Sequence, residues 1–414
     1  YRDYHATTPV DPRVFSAMEP YFFEQFGNPA SQTHARGHQA KKAVEKAREQ
    51  VASLIGADPK EIIFTSGATE SNNWCLKGMV EHFTGGRNQL VVSAIEHSCV
   101  LDTSKYLQRR GVHVDFMPVD SQGLVSVEAL AELLSEKTIL VSVMAVNNEI
   151  GTINDCRNLA ELCHQHGTYF HTDATQAVGY QSVDVRREQV DFLSMSSHKI
   201  YGPKGVGALF LNQNLGFKLP PLIHGGGHEF GLRSGTANVP AVVGFGMAAE
   251  IARLEKIAES GKVKKLRDHL WCGLQSQLTS LSLNGPAACR AVNNLNVTFH
   301  GVEAVELIAA LRGDVMVSSG SAVTSSKAAP SHVLTAVAVP ESDCFSNIRF
   351  SVGRFSTEQE VEFVVQRVVQ EVLKIRHRQK NSKTNVGKDS STRSSGLVAS
   401  HELLTHFDER STSG

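Results

Sequence analysis

The chain has 414 residues, of which 41% are hydrophobic and 20% are charged, and its formal net charge is -1. A chain of this length can form one large domain of roughly 250 residues together with a smaller one. Because the net charge is close to zero, no strong positive field attracts nucleic acid or an anionic membrane, and we expect neither as a partner.

The cysteines and the hydrophobic runs of the sequence indicate the cellular compartment of the protein. Seven cysteines are scattered without Cys-x-x-Cys spacing, which favours a reducing compartment over a disulfide framework or a zinc ribbon. No apolar run approaches the roughly 20 residues that span a bilayer. The sequence therefore predicts a cytoplasmic protein, with an organelle matrix as the alternative if a targeting segment has been removed ahead of Tyr1.

Strand-like and helix-like runs alternate through the first half of the chain. The predicted helices of this region are, in chain order, 37–56, 69–83, 98–110, 127–134 and 158–166. The predicted strands are EIIFTS, QLVVSAI, TILVSVM, TYFHTD, VDFLSMS and GVGALFL. This alternation predicts an α/β fold with a mostly parallel sheet between helices, and such sheets place active sites at the carboxyl ends of their strands.

A second region follows a long helix predicted over 239–279. It contains the strands NNLNVTF and NIRFSVG and a helix over 357–376. We predict a large domain over 10–260 and a smaller C-terminal α+β domain formed by 1–9 and 261–376.

Two segments are predicted to lack regular structure. SSGSAVTSS and its neighbours, residues 318–330, consist of small and hydroxyl residues and predict a mobile loop. Residues 377–414 are polar for most of their length, with a single aromatic residue near the end, and predict a disordered tail.

The predicted strand ends carry polar segments. The first is SGATESNN, in which Gly67, Ala68 and Thr69 begin a helix. The unpaired N–H groups of a helix start favour an anion such as phosphate, although an ordinary cap at Thr65 or Ser66 explains the same residues.

Two further strand ends carry charged residues. Asp173 in HTDATQ follows an apolar strand, where an ionised carboxylate is costly to bury without a cation opposite it. Lys199 in SSHKIYGPKG also follows a buried strand, where loss of water can make its amine nucleophilic. Taken singly, a helix cap or surface turn for Asp173 and a solvated side chain for Lys199 are the simpler interpretations.

Together these residues form a set. A phosphate cradle, a carboxylate for a pyridinium nitrogen, an imidazole at His97 to cover a ring and a lysine for a Schiff base are what pyridoxal 5'-phosphate requires. The chain resembles the class V aminotransferase-like family of pyridoxal phosphate fold type I, and within it the NifS/IscS-type cysteine desulfurases, over roughly residues 1–376. The motifs that carry the resemblance are DYHATTP, FGNPAS, FTSGATESNN, EHSCVLD, VNNEIG, HTDATQAVG, SSHKIYGPKGVGAL, GGGHEFGLRSGT and IRFSVGRF.

The resemblance implies roles for the residues around the ring. Lys199 forms the Schiff base with the cofactor, and Asp173 pairs with the protonated pyridine nitrogen. His97 stacks on the ring and exchanges protons, and Gln176 hydrogen-bonds the phenolic oxygen.

The resemblance also implies a phosphate site, a substrate site and a homodimer. The phosphate ligands are Ala68, Thr69, Ser196 and His198, with Thr236 supplied by the other subunit of a homodimer. The substrate carboxylate is held by Asn148, which is also near the cofactor, and by Arg349, whose planar guanidinium suits that task.

The main departure from the family is Val323, at the centre of the 318–330 loop. The desulfurases carry a cysteine there, whose thiolate takes sulfur from the substrate as a persulfide and leaves alanine. Valine has no nucleophilic atom, so sulfur cannot be captured at this position. Packing of the valine against the domain is the structural alternative.

Other cysteines are not expected to replace it. Cys99 lies near His97 at a helix start that we expect to be buried, and Cys344 lies in the loop DCFSN, which we expect to be exposed. Phe230 stands where the family usually has arginine, which we expect to alter the substrate mouth. Residues 377–414 do not resemble the segment with which family members dock the iron-sulfur scaffold protein.

Metal and nucleotide sites are not indicated. Cys163, His164 and His166 lie at one helix end without a second ligand pair, so we predict no metal site. No Walker sequence occurs, and no Gly-x-Gly-x-x-Gly opens the first helix.

The sequence thus predicts a cysteine desulfurase-like enzyme that acts on L-cysteine or a related amino acid. It would release alanine and supply sulfur for iron-sulfur clusters or thio-modification, passing it to an acceptor or scaffold protein. One alternative is a pyridoxal phosphate lyase that eliminates sulfide or selenide, which needs no enzyme thiol. The other is a non-catalytic partner of a sulfur-transfer protein.

Overall fold

The computed structural model describes residues 3–320 and 329–391, with side chains as far as Asn381. Val323 and most of the predicted 318–330 loop therefore lie outside the described residues, as does the end of the tail. Within the described ranges, no helix has both the length and the apolar character needed to cross a membrane.

A seven-stranded sheet forms the centre of the larger part of the molecule. Its strands in chain order are β1 Ile62–Thr65, β2 Gln89–Ser93, β3 His113–Met117, β4 Thr138–Ser142, β5 Tyr169–Asp173, β6 Phe192–Ser196 and β7 Gly207–Leu211. Their spatial order is β1-β7-β6-β5-β4-β2-β3. β7 is antiparallel to β1 and β6, and the other pairs are parallel. The predicted α/β fold with a mostly parallel sheet is confirmed.

A three-stranded antiparallel sheet lies in the C-terminal part. It is formed by β8 Leu281–Leu283, β9 Asn294–Phe299 and β10 Asn347–Ser351, with β9 in the middle. Neither β3 nor β8 was predicted. β3 is an edge strand that exposes His113 and Phe116, and β8 has only three residues, so neither has a continuous apolar run.

Helices cover the sheets. Their bounds are α1 Pro12–Met18, α2 Pro20–Phe23, α3 Ala35–Ile55, α4 Ala68–His82, α5 Ser98–Gln108, α6 Val127–Leu133, α7 Cys156–Gln165, α8 Val239–Gln275, α9 Ala304–Leu311, α10 His332–Ala336, α11 Glu341–Cys344 and α12 Glu358–Ser391. Helix starts follow local chemistry: the His34 and Asp155 side chains cap α3 and α7. α3 ends at Gly56, whose φ of 69° lies in the left-handed region that glycine adopts freely.

The predicted tail is partly helical. α12 continues to Ser391, so the prediction of disorder from residue 377 is wrong as far as residue 391. The apolar face of the first turns of α12, from Val361 to Ile375, is buried against the small sheet and α8. Once that part is fixed, each following residue adds a hydrogen bond without the cost of starting a new helix.

Two separate hydrophobic cores share helix α8. Its first half, as far as Ala252, packs with α3 beneath the large sheet, and its second half, from Val263, packs with α12 and the small sheet. The predicted division near residue 260 falls within this interval of the helix. The independence of the two domains stays a prediction.

The N-terminal segment 3–11 connects the two parts beside the strand ends. Asp3 forms a bridge with Ser351 in β10, while the Thr8 amide and hydroxyl both donate to the His198 carbonyl oxygen. The Asp11 amide donates to the Tyr201 carbonyl oxygen at 2.9 Å. These bonds hold the segment across the carboxyl ends of β5 and β6.

Gly207 in β7 allows the turn before α4 to approach the sheet. An added Cβ would lie 2.5 Å from the Met195 carbonyl oxygen and 2.7 Å from Gly67 Cα, which are backbone atoms. We predict that Gly207→Ala lowers the free energy of unfolding by about 1–3 kcal/mol through overpacking. On the exposed side of α8, a Cβ on Gly261 meets nothing within 4 Å.

Gly261→Ala is therefore the matched control, and we expect it to raise the free energy of unfolding by about 0.5–1 kcal/mol. Urea unfolding of the cofactor-free protein, followed by circular dichroism, measures both variants. A Gly207→Ala protein that unfolds at the wild-type urea midpoint would contradict the packing argument.

Candidate active site

A cavity of about 590 Å³ opens at the carboxyl ends of β4, β5 and β6. It brings together most of the residues that the sequence singled out. Those that line it are Ala68, Thr69, His97, Asn148, Asp173, Gln176, Ser196, His198, Lys199 and Arg349.

Lys199 lies in a short turn directly after β6. Its amine donates to the carbonyl oxygens of His5 and Ala6, the latter at 2.7 Å. Burial, assisted by the positive charge of Arg349, lowers the pKa of Lys199 to about 8, although the carboxylates of Asp3 and Asp173 act in the opposite direction. The amine is therefore deprotonated more readily than that of a solvated lysine.

Asp173 is the last residue of β5 and is 5% exposed. Its Oδ2 accepts from the Asn72 amide at 2.7 Å, and its Oδ1 accepts from the Thr175 backbone N–H at 2.9 Å. In the described part of the chain, no Lys, Arg or His side chain forms an ion pair with it. A buried carboxylate held only by neutral donors is suited to a cationic partner from outside the chain.

His97 caps helix α5 at the cavity wall. Its Nδ1 accepts from the Cys99 backbone N–H at 3.2 Å, and the Cys99 thiol lies 3.1 Å from the same nitrogen. Burial is the main cause that lowers the pKa of His97. Burial and the Asp173 carboxylate raise the pKa of the Cys99 thiol to about 12, so the thiol is protonated at neutral pH.

The start of α4 lines the same cavity. Gly67 precedes the helix with a φ of 155°, and the first N–H groups of a helix have no partner within it. Ser196 and His198 line the cavity with this helix start. Burial, with the charges of Lys199 and Lys204, lowers the pKa of His198 to about 4, so its imidazole is neutral and contacts the Thr7 hydroxyl at 3.0 Å.

Arg349 in β10 reaches the cavity from the small sheet. Its Nη1 donates to the Asn148 carbonyl oxygen at 3.1 Å, and its Nη2 forms an ion pair with Asp3 at 2.9 Å. The side chain is 11% exposed and lines the cavity. The guanidinium is thus held in place beside Lys199.

Several cavity residues were missed by the sequence analysis. His5 is buried, its Nδ1 lies 2.9 Å from Gln176 Oε1, and its carbonyl oxygen accepts from Gln176 Nε2 at 3.1 Å. Ala6 and Thr7 of the same N-terminal segment also line the cavity, and Lys204 lies in the glycine turn after Lys199. The motif DYHATTP carries no local signal that the segment crosses strand ends nearly 200 residues away.

Other predicted residues lie elsewhere. Thr236 is exposed and does not line the cavity of its own chain. Phe230 is 55% exposed, with the Arg48 guanidinium 5.1 Å from its ring, and it does not line the cavity either. Cys344 is buried at 1% exposure, so its expected exposure is wrong: it packs in a small core with Ile95 and Ile150.

The CHQH segment has ordinary structural partners. Cys163 is buried in the main core, His164 Nε2 lies 2.9 Å from Asp191 Oδ2, and His166 Nδ1 lies 3.0 Å from the Leu162 carbonyl oxygen. No group of metal-ligating side chains with suitable geometry occurs among residues 3–320 and 329–381.

The residues of the cavity fit a phosphorylated pyridine aldehyde. Asp173 offers a buried carboxylate to a ring N–H, and the helix start offers N–H groups to a phosphate. Buried oxygens of Thr175 and Asn72 have no hydrogen-bond partner among the described residues. The amine of Lys199 opens onto the same cavity.

Known proteins are similar to this chain in sequence. The Aminotransferase class-V family model matches residues 1–364. The protein named cysteine desulfurase IscS from Rickettsia akari (strain Hartford) is 45% identical over 376 residues, which cover 91% of this chain and 92% of that protein.

Solved structures of related proteins have a similar fold. A NifS-like protein superposes with a TM-score of 0.84 at 39% identity, covering 89% of this chain and 98% of its own. A protein described as SspA in complex with cysteine gives a TM-score of 0.76 at 35% identity, covering 86% of this chain and 99% of its own. This chain therefore belongs to the class V aminotransferase family, among its NifS/IscS-type cysteine desulfurases.

Proposed function

We propose that this protein is a pyridoxal phosphate-dependent, cysteine desulfurase-like enzyme that acts on L-cysteine. The observation that carries the proposal is that one cavity is lined by Asp173 at the end of β5, Lys199 in the turn after β6 and Arg349 within β10. Members of this family use pyridoxal 5'-phosphate, and the structural neighbour SspA is described in complex with cysteine.

The cofactor would be held at four points. Asp173 would accept a hydrogen bond from the protonated ring nitrogen, and Gln176 would donate one to the phenolic oxygen. The helix start at Ala68 and Thr69, with Ser196 and His198, would bind the phosphate, and His97 would lie against the ring. When bound, the cofactor supplies an electron sink for negative charge that develops at the substrate Cα.

The chain's own residues then bind the substrate and move its protons. Arg349 and Asn148 would orient the carboxylate of the amino acid, which fixes the Cα proton relative to the Lys199 amine. Because the pKa of Lys199 is lowered to about 8, its Nζ can accept a proton near neutral pH and return it. The neutral imidazole of His97 can accept or donate a second proton.

The sulfur step lacks an enzyme thiol at residue 323. Val323 cannot accept sulfur, and the Cys99 thiol in the cavity remains protonated because its pKa is raised to about 12. A desulfurase reaction would then transfer sulfur from cysteine to a thiol from outside the cavity, leaving alanine and a persulfide. Elimination of sulfide, with pyruvate and ammonia as the other products, needs no thiol and is the second candidate function.

Two further features belong to the proposal. Thr236 is exposed and away from its own cavity, which supports a homodimer in which it completes the phosphate site of the partner subunit. All seven cysteines are unpaired, which supports a reducing compartment such as the cytoplasm. A sulfur-acceptor or iron-sulfur scaffold protein would be the macromolecular partner.

Capture of the cofactor by Lys199 is the first test. We predict that the rate at which the cofactor-free protein captures pyridoxal phosphate rises with pH through a midpoint near 8, because burial lowers the pKa of this amine. A solvated lysine would give a midpoint near about 10.4. Absorbance of the bound cofactor measures the rate.

Lys199→Ala is the matching variant. It should bind the cofactor without a covalent bond, so that borohydride treatment leaves no stable adduct. An adduct that mass spectrometry locates on another lysine in the wild-type protein would contradict the assignment.

The sulfur step is tested by comparing the protein with its Val323→Cys variant. With L-cysteine and a reductant, we expect the variant to release alanine at least about tenfold faster, because it regains a nucleophilic thiol. Alanine, pyruvate and sulfide are quantified for both proteins, and Val323→Ala, which adds no thiol, is the control.

The products separate the candidate functions. Pyruvate and sulfide from the parent without alanine would replace the desulfurase proposal by the lyase. Equal alanine release by the parent and the variant would show that the thiol at residue 323 is not needed. No product and no change in the cofactor spectrum at saturating cysteine would favour the non-catalytic partner.

A further inference from the structure

The carboxylate of Asp3 lies directly on the guanidinium of Arg349. Its Oδ1 accepts from Arg349 Nη2 at 2.9 Å, and its Oδ2 accepts from the Ser318 hydroxyl at 2.6 Å. The two charged side chains are only 14% and 11% exposed, so solvent screens their attraction weakly. This ion pair joins residues that are 346 positions apart in the sequence.

The backbone around Asp3 fixes the position of its carboxylate. Asp3 forms a bridge with Ser351, and Ser318 forms a bridge with Arg349, so all these residues lie beside β10. The Arg349 backbone N–H donates to the Ser318 carbonyl oxygen at 2.7 Å. Asp3 is therefore held by the backbone on the same strand that carries the guanidinium.

The guanidinium keeps hydrogen-bond capacity for a ligand. Of its five N–H groups, one on Nη2 donates to Asp3 and one on Nη1 donates to the Asn148 carbonyl oxygen. Its Nε is buried and has no partner among the described residues. Two anchors thus fix the plane of the group, and further N–H groups remain to bind a carboxylate.

The charges of Asp3 and Arg349 act in opposite directions on Lys199. Arg349 lowers the pKa of the Lys199 amine, and Asp3 raises it. A cavity with both cations and no Asp3 would therefore hold an amino acid carboxylate more strongly and make Lys199 a weaker base. The carboxylate partly offsets the positive charge that a substrate meets.

We propose that Asp3 is a positioning residue that fixes the plane of the Arg349 guanidinium and, by offsetting its charge, limits how tightly the site holds an amino acid carboxylate. This inference rests on the proposed function, in which Arg349 binds that carboxylate. Moderate affinity suits an enzyme whose amino acid product carries the same carboxylate as its substrate and must leave.

Two variants of Asp3 distinguish its hydrogen bond to Arg349 from its negative charge. Asp3→Asn keeps an amide oxygen that can accept from Arg349 Nη2, and the Ser318 hydroxyl can reverse its bond, but the negative charge is lost. Asp3→Ala loses both the charge and the anchor. We expect Asp3→Asn to bind a carboxylate ligand more tightly and Asp3→Ala to bind it more weakly than the wild type.

The measurement is ligand affinity in the cofactor-loaded protein. L-Alanine and ethylamine are titrated against each protein and followed by the cofactor absorbance; ethylamine has the same amine and methyl group but lacks the carboxylate. The dissociation constant for L-alanine should fall about threefold to tenfold in Asp3→Asn and rise by a similar factor in Asp3→Ala. The dissociation constant for ethylamine should change less than about twofold in both variants.

A second readout uses the cofactor-free protein. The pH midpoint for cofactor capture, near 8 in the wild type, should be lower in Asp3→Asn because a charge that raises the pKa of Lys199 has been removed. It should be higher in Arg349→Gln, since the opposite charge has been removed. A purely structural role of Asp3 would leave the midpoint of Asp3→Asn at the wild-type value.

The outcomes distinguish the inference from the proposed function. If Arg349→Gln leaves the preference for L-alanine over ethylamine unchanged, Arg349 does not hold the carboxylate and the proposed substrate site fails. If Arg349→Gln abolishes the preference but both Asp3 variants behave like the wild type, or weaken binding equally, the inference about Asp3 alone is overturned. If Asp3→Ala does not fold, Asp3→Asn decides by itself, because tighter binding is expected only from loss of the charge.

Discussion

Charges held away from water at the carboxyl ends of the strands determine the chemistry of this cavity. An isolated buried ion is costly, so each one must be balanced by hydrogen bonds, by a counter-charge or by a shift of its pKa. The cavity shows all three solutions: Asp173 accepts two neutral N–H groups, Arg349 pairs with Asp3, and Lys199 gives up its proton more readily. In the proposed function, Asp173 and Lys199 would bind the cofactor and Arg349 would bind the carboxylate of the substrate.

The same constraint explains why the N-terminal segment crosses the cavity. Its backbone carbonyl oxygens at His5 and Ala6 are the acceptors for the Lys199 amine, and its Asp3 side chain is the counter-charge for Arg349. The turn that carries Lys199 is fixed from the other side by Tyr201, whose φ of 66° is unusual for a residue with a side chain.

Tyr201 is held in that conformation by a network from both parts of the molecule. Its hydroxyl accepts from the Arg354 backbone N–H and lies 2.9 Å from the Tyr180 hydroxyl, and the Arg354 guanidinium lies 4.2 Å from the ring centre. Arg354 also pairs with Asp11 and Glu259. A buried network of this kind adds little net stability, but a single broken partner leaves a charge unpaired, so it favours one arrangement of the turn.

Features that depend on neighbouring residues could be predicted from the sequence. Features that depend on contacts between distant segments mostly could not. Strands with continuous apolar runs were predicted, and the polar residues that follow them, such as Asp173 and Lys199, do meet at one edge because parallel strands end together. His5 and Asp3 were missed as site residues because their positions follow from backbone pairing with β10 and the 198–201 turn. The exposed edge strand β3, the short helices and the continuation of α12 past residue 376 also lack a local pattern that distinguishes them from loops.

The charge that suits the cavity to its cofactor also limits its sulfur chemistry. In the proposed function Asp173 would stabilise a protonated ring nitrogen, and the same negative charge adds to burial in raising the pKa of the Cys99 thiol. Burial and this carboxylate together keep the Cys99 thiol protonated, which makes Cys99 a poor sulfur nucleophile. With valine at residue 323, the proposed function separates carbanion chemistry from sulfur capture: the strand ends carry the residues proposed for the first, and the described cavity offers no reactive thiol for the second. In the proposed reaction, sulfur that leaves the substrate would consequently pass to an acceptor from outside the cavity or leave as sulfide.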